Sequence, residues 1–551
     1  MLSRDRSKRS ALYTTGWLLA VALMSARLLP MGVRPGMFFD GATYATIARN
    51  MAAGVGDLWH PVFFAEGDRV PPPPSPEELK AATAWTVAET GADSKPVYRT
   101  QSDRAFHDHP PLAFWLESLF FRALGDHYWV EKLYSALMGI GTALGIAAIW
   151  RQLFRERPQL RDCSWLPVVM WMAWPHWSWM YENNLLENTL GLMAIAGVYA
   201  SLRAADARLA GWIGWTALAA AATVGAVLSK GPVGLFPLAT PLGIAICLKR
   251  RQPWRSLAAC GLLPLMFGAL MGLVLLQPAA YECLSTYLRV QVQPSLSGQR
   301  EIFHSTMRNF WIITDIAGQM VLPLLIAAAL LGWARWHRAK LAAGQEPIEP
   351  RADDGASIWP AMAFCAWTAA SASLPIMLSP KQLGHYAAPS YPYYGLTFAV
   401  WCAPAVVTLL TLAKSAAEVA RAHWRVRAIS LAGMAVVATL CIVFAGTPWR
   451  DAEVYHDTIV LGRLLPRAKF VAVSPDLAAD WALQMYLGRW DDIGVDSGPT
   501  PRDYYLAPLH AAAPPGYTAE PAELVRYQLF RRTDAPQVAG RASDSGLHKA
   551  H

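Results

Sequence analysis

Apolar residues in this chain come in runs of about 20, the length that carries a helix across a bilayer core. The first runs from Ala11 to about Met31. Further spans are predicted at about 131–150, 163–180, 184–202, 211–229, 232–248, 256–277, 315–333, 358–379, 386–412 and 428–446. The stretch 32–130 holds no long apolar run, only two short amphipathic segments at about 41–53 and 111–124. The second carries Glu117 and Arg122 and is too short to span comfortably, so it fits a helix lying in the membrane interface. After residue 446 the pattern changes. Lys469–Val473 reads as a strand, Asp476–Leu487 as a helix and Leu524–Phe530 as another strand, with Pro-rich stretches near 499–521. The expected architecture is therefore an all-α polytopic membrane domain over 1–446, with about eleven spans and a first outer loop at 32–130. A small α/β domain outside the membrane follows over 447–551, with a disordered end after about Val538.

Charge orients this arrangement. Short loops rich in Lys and Arg stay on the cytoplasmic side. Arg4, Arg6, Lys8 and Arg9 place the N-terminus there, and Arg155, Arg250 and Arg338 fall on the same side when the spans are threaded in order. Counting 111–124 as a span would put every later basic loop outside, so the charge bias settles its interfacial placement. Composition agrees. Of 551 residues 54% are hydrophobic and 16% charged, against roughly 25% charged in soluble domains. The net charge of +8 does not indicate nucleic acid, because the basic residues sit in the orienting loops. The seven cysteines are scattered, with no metal-like spacing and no disulfide framework. The first span is longer than a typical signal-peptide core and lacks an evident small-residue cleavage site, so it is expected to remain as an anchor.

Polar clusters then fall on one face, opposite the basic loops. Asp40 and Tyr44 open the first amphipathic segment, just past the first span. An acid in a helix's first turn is favoured by the dipole alone. An unpaired carboxylate at a membrane edge is nonetheless expensive and marks a functional candidate. His107, Asp108 and His109 precede Pro110 and Pro111, which hold them extended. That group suits a divalent metal ion, through His107 and Asp108, or a phosphate, and equally caps a polar loop. Glu182 and Glu187 flank Asn183 and Asn184 between two spans, where they serve chemistry or bond neighbouring helices. Lys230 and Lys381 each stand at the outer end of a span, the latter followed by His385 and Tyr386. A lone terminal lysine usually just snorkels. Two on the side that positive charge avoids, with Arg289, Arg300, His304 and Arg308 in the 278–314 loop, indicate an anionic ligand.

The set Asp40-Gly-Ala-Thr-Tyr44 after the first span, His109-Pro-Pro-Leu112, Lys230-Gly-Pro232 and Ser379-Pro-Lys381 with Tyr386-x-x-Pro389 resembles the GT-C glycosyltransferases. The similarity is to the branch holding lipid A aminoarabinose transferase and the protein O-mannosyltransferases (families 39 and 83), over roughly residues 11–400. Such enzymes move a sugar from a polyprenyl phosphate to an acceptor on the outer or lumenal face. The resemblance implies a GT-C fold and an active site facing the periplasm from a bacterial inner membrane. It implies a polyprenyl-phosphate sugar donor and a lipid, glycan or protein acceptor, handled by a monomer among membrane lipids. Asp40 matches the family's first acid, a general base or electrostatic organiser, and Lys230 and Lys381 match lysines near the donor phosphate. Asp108-His109-Pro110 stands where the family commonly has Glu-Lys-Pro, and a neutral imidazole is the weaker phosphate partner. The second family acid, an Asp after the third span, is replaced by Glu182 or, less neatly, Glu187.

A phosphate leaving group asks the protein to stabilise developing negative charge and to activate the acceptor. Lys230, Lys381 and Arg300 suit the first task and a carboxylate suits the second. The alternative class is a transporter or flippase of a lipid-linked or anionic substrate. Transporters place their charges near the midplane, often on broken helices, whereas here the charges gather at one face.

Overall fold

The structure, a computed structural model, describes residues 2–64, 105–248, 253–298, 310–342, 357–411, 416–465, 469–477, 480–497 and 501–535. Helical segments occupy each of the eleven expected span positions. Among the described residues seven are long and apolar enough to cross a membrane, and the number is eight if His176–Glu182 and Leu186–Asp206, bent by 110° at their junction, are counted together as one span.

The shorter pieces have proline causes. The segment expected at 163–180 breaks into Leu166–Met172 and His176–Glu182 around Pro175, since a proline disfavours helical geometry in the residue before it. The segment at 232–248 begins as a 3-10 turn, Pro232–Ala239, and continues as Thr240–Cys247. Pro232, Pro237 and Pro241 each remove an amide donor there. Likewise Gly384–Ser390 is a 3-10 turn leading into the helix Tyr391–Thr411. Helix Leu209–Lys230 stops at Gly231, whose φ of +87° is open to glycine and strained for other residues.

The two short amphipathic segments form helices as expected. α1 is Leu2–Gly32 and α2 is Phe39–Ala52. The interfacial helix Leu112–Leu124 follows Pro110 and Pro111 and ends at Gly125. It packs on α2 through Phe121, against Ala45, Ala48 and Val130.

Five strands close the chain: β1 Lys469–Val473, β2 Ile493–Asp496, β3 Tyr504–Pro508, β4 Tyr517–Ala519 and β5 Tyr527–Arg532. Their order is β2-β1-β3-β5-β4. β1 runs parallel to β2 and β3, and β5 is antiparallel to β3 and β4. The expected helix at 476–487 is shorter, Trp481–Tyr486, with Asp480 accepting from the Leu483 amide at 3.1 Å as its N-cap. The end expected to be disordered lies outside the described residues.

This sheet unit is fastened to the membrane helices. Arg489, 1% exposed, pairs with Asp126 at 2.6 Å and with Glu131 at 3.0 Å, and donates to the His127 carbonyl at 3.1 Å. On α2, Arg49 reaches Asp492 at 2.9 Å, and Phe39 stacks on Trp481 with centroids 5.9 Å apart. The sheet unit is therefore packed directly on the helix that carries Asp40.

Candidate active site

Pro35 and Gly36, the latter at φ +89°, turn the chain between α1 and α2 and set Asp40 in the first turn of α2. Burial pushes its carboxyl up to about 6. Lys230 and Lys381 oppose that rise, and Glu187 and Asp108 add to it. Four of the sequence candidates, Asp40, Asp108, Lys230 and Lys381, thus share one electrostatic neighbourhood, and Glu187 joins them.

Lys230 is the last residue of its helix, and its ammonium donates to Glu187 Oε1. His385 Nε2 lies 3.7 Å from the same oxygen. Lys230 also stands 4.8 Å from the Tyr386 ring centroid, a cation–π distance. Tyr287, from the 278–314 loop, donates its hydroxyl to the Lys230 carbonyl at 3.2 Å. Glu187 is buried, and its Oε2 has no hydrogen-bond partner among the described residues. A carboxylate taken out of water in this way is retained because a cation holds it. Tyr44 is buried on α2, with its ring 5.7 Å from His109, and His109 lies 6.4 Å from Tyr287. Two more sequence candidates, His385 and Tyr386, therefore line the Lys230 side, and two, Tyr44 and His109, the Asp40 side.

Two candidates lie elsewhere. Glu182 is the last residue of its short helix, among Arg27, Ser178 and Lys132, and it is not brought to Asp40. His107 is buried with Nε2 3.1 Å from the Trp59 carbonyl, and burial lowers its pKa. Among the described residues no group of three or more His, Cys, Asp or Glu could hold a metal ion. Arg300 lies outside the described residues. Glu187 and Tyr287 are the additions. Glu187 stands in the sequence as the second choice for an acid, and Tyr287 has no signal beyond its place in a polar outer loop.

The other end of the bundle has a separate polar cluster. Arg155 pairs with Asp206 at 2.7 Å, Gln152 donates to the same carboxylate at 2.8 Å, and Arg255 donates to the Ala207 carbonyl. Arg155, expected on the cytoplasmic side, thus lies in a cluster apart from the Asp40 group, and Arg250 lies outside the described residues.

Residues 108–281 match the model of the dolichyl-phosphate-mannose-protein mannosyltransferase family. A protein of Aquifex aeolicus (strain VF5) is 31% identical over 144 residues, which is 26% of this chain and 30% of that protein's length. Crystal structures of ArnT from Cupriavidus metallidurans are similar over 95% of this chain and 100% of theirs. The one bound to undecaprenyl phosphate has a TM-score of 0.56 at 16% identity, and the apo form 0.53 at 15%. The matched family segment carries Asp108, His109, Glu187 and Lys230. The chain has the ArnT-like fold of a multi-span membrane protein and resembles the GT-C glycosyltransferases of the aminoarabinose and protein-mannose transferase group.

Proposed function

We propose that the chain is an integral-membrane glycosyltransferase that moves a monosaccharide from a polyprenyl-phosphate donor to an acceptor hydroxyl. The observation that carries this reading is the single group formed by Asp40, Glu187, Lys230, Lys381, His385 and Tyr386 at one end of the bundle. A carboxyl pushed up to about 6 is poised as a general base near neutral pH. Two lysines beside it supply fixed positive charge for an anionic leaving group.

In the reaction the bond between the sugar's anomeric carbon and the phosphate oxygen breaks. A bond from the acceptor oxygen to that carbon forms, and the acceptor proton passes to Asp40. The leaving polyprenyl phosphate gains about one negative charge as it departs, since a phosphate monoester carries about −1.5 to −2 at pH 7. Lys381 and Lys230 stabilise that gain, and the sequence assigns Arg300 to the same task. Lys230 is already held by Glu187, so its position is fixed before the donor arrives. Such preorganisation spares reorganisation at the moment of reaction. Tyr44, Asp108 and His109 line the side of α2 where the sugar would lie. The ArnT structure with undecaprenyl phosphate supports a polyprenyl phosphate as the carrier. The one-sided charge bias supports a site on the extracytoplasmic face, and the family resemblance makes that face the periplasmic side of a bacterial inner membrane.

Membranes holding the protein, incubated with a panel of radiolabelled polyprenyl-phosphate sugars, test this reading. One donor should pass its label to lipid, glycan or protein without an ion gradient. Label that only crosses the membrane, still on its carrier, would establish a transporter or flippase instead.

A further inference from the structure

The bend of 110° between His176–Glu182 and Leu186–Asp206 is made by Asn183, Asn184 and Leu185. Asn183 is completely buried. Its side chain does two things at once. Nδ2 donates to the Trp179 carbonyl at 2.6 Å, closing the short helix behind it. Oδ1 accepts the Phe38 amide at 2.6 Å, across to the residue just before α2. The two partners fix the amide's orientation, because a carbonyl takes only a donor and an N–H only an acceptor. α2 has no side-chain cap of its own at Phe38. Its first turn is thus tied to the bend from outside.

A second contact lies on the same turn. The backbone carbonyl of Asn183 rests so close to Gly41 that a Cβ there would fall onto it. Gly41 follows Asp40, so the carboxylate sits between two points at which Asn183 touches α2. The neighbouring Asn184, at φ +50°, donates to Glu117 Oε1 at 2.8 Å and ties the bend to the interfacial helix as well. Asn is among the few residues other than glycine that accept that backbone conformation.

We propose that Asn183 is a positioning residue for Asp40: it holds the first turn of α2 so that the carboxylate faces the Lys230 and Lys381 side of the site. This rests on the glycosyltransferase reading for what Asp40 does, but not for where Asp40 is held. Beyond its own short helix, Asn183 touches α2 at Phe38 and beside Gly41, so its loss displaces the base while the lysines keep their own anchors.

Asn183→Leu keeps the side-chain size and removes both hydrogen bonds. Gly41→Ala disturbs the second contact, with the Asn183 backbone carbonyl, and so displaces the same turn. Each is expected to lower kcat by on the order of 10²-fold, the scale of an ångström-sized misplacement of a catalytic group. Affinity for undecaprenyl phosphate alone should stay unchanged. The double variant should lose less than the product of the two single losses, because both displace the same turn of α2. Wild-type kcat in a folded Asn183→Leu protein overturns the proposal. So do equal losses of kcat and of undecaprenyl phosphate affinity. If Asn183→Leu does not fold, Gly41→Ala and Asn183→Asp, which keeps the acceptor for Phe38, decide the matter, with only Gly41→Ala expected to be slow. If the wild type transfers no sugar, the functional reading fails separately. The rate at which a water-soluble carbodiimide labels Asp40 then judges the positioning: altered by Asn183→Leu if it is right, unaltered if it is wrong.

Discussion

Charged residues at the ends of apolar spans are conspicuous in a sequence because each needs a reason to be there. That made Asp40, Lys230, Lys381 and the His385-Tyr386 pair legible, and the structure brings them together. The choice between Glu182 and Glu187 was not legible in the same way. The two acids are five residues apart across a break of 110°, and the bend, which no linear pattern displays, sends one toward Lys132 and the other toward Lys230. The prediction at this scale concerns pH. As a base, Asp40 must be ionised, so kcat/KM should be full well above pH 6 and fall as pH drops through about 6. Lys230 is the largest influence holding that value down. Lys230→Met should therefore move the acid limb to higher pH. A pH–rate profile of both proteins checks this, and an unmoved limb would separate Lys230 from Asp40.

At the scale of elements, span positions followed from apolar length, and the two outer-loop helices from amphipathic spacing that was too short to cross. The prolines that split the span around Pro175 were visible, but the direction in which its two halves diverge was not. In the C-terminal unit only two of five strands were read. β2 has four residues and β3 ends on Pro508, so neither gives a clear alternating run. Nor does local sequence show that Arg489 leaves this unit to meet Glu131 on a membrane helix. Removing one partner of a buried pair strands the other, at a cost of about 3–5 kcal/mol. Arg489→Met should accordingly lower the melting temperature of the purified protein markedly. Adding Glu131→Gln should restore much of the loss, since no buried charge is then left unpaired. A melting temperature unchanged by Arg489→Met would mean that the two parts are held together elsewhere.

The whole molecule is polarised, with the Asp40 group at one end and the Arg155–Asp206 cluster at the other. The sequence carried this polarity through its loop charges, which set the basic loops apart from the Asp40 group before any contact was seen. Single cysteines placed at Lys381 and Arg155, in a background lacking the seven native cysteines, should respond oppositely to a membrane-impermeant thiol reagent on intact cells. Position 381 should label and position 155 should not, and the reverse would invert the topology. The most direct test of the account is turnover by purified protein in detergent, with no gradient, on the radiolabelled polyprenyl-phosphate sugar that labels an acceptor in membranes. The account predicts release of the carrier lipid with transfer of the sugar, and a loss of roughly 10²-fold or more in a folded Asp40→Asn variant, the range of general-base loss. Near-normal turnover by Asp40→Asn, or none by the wild type, would contradict it.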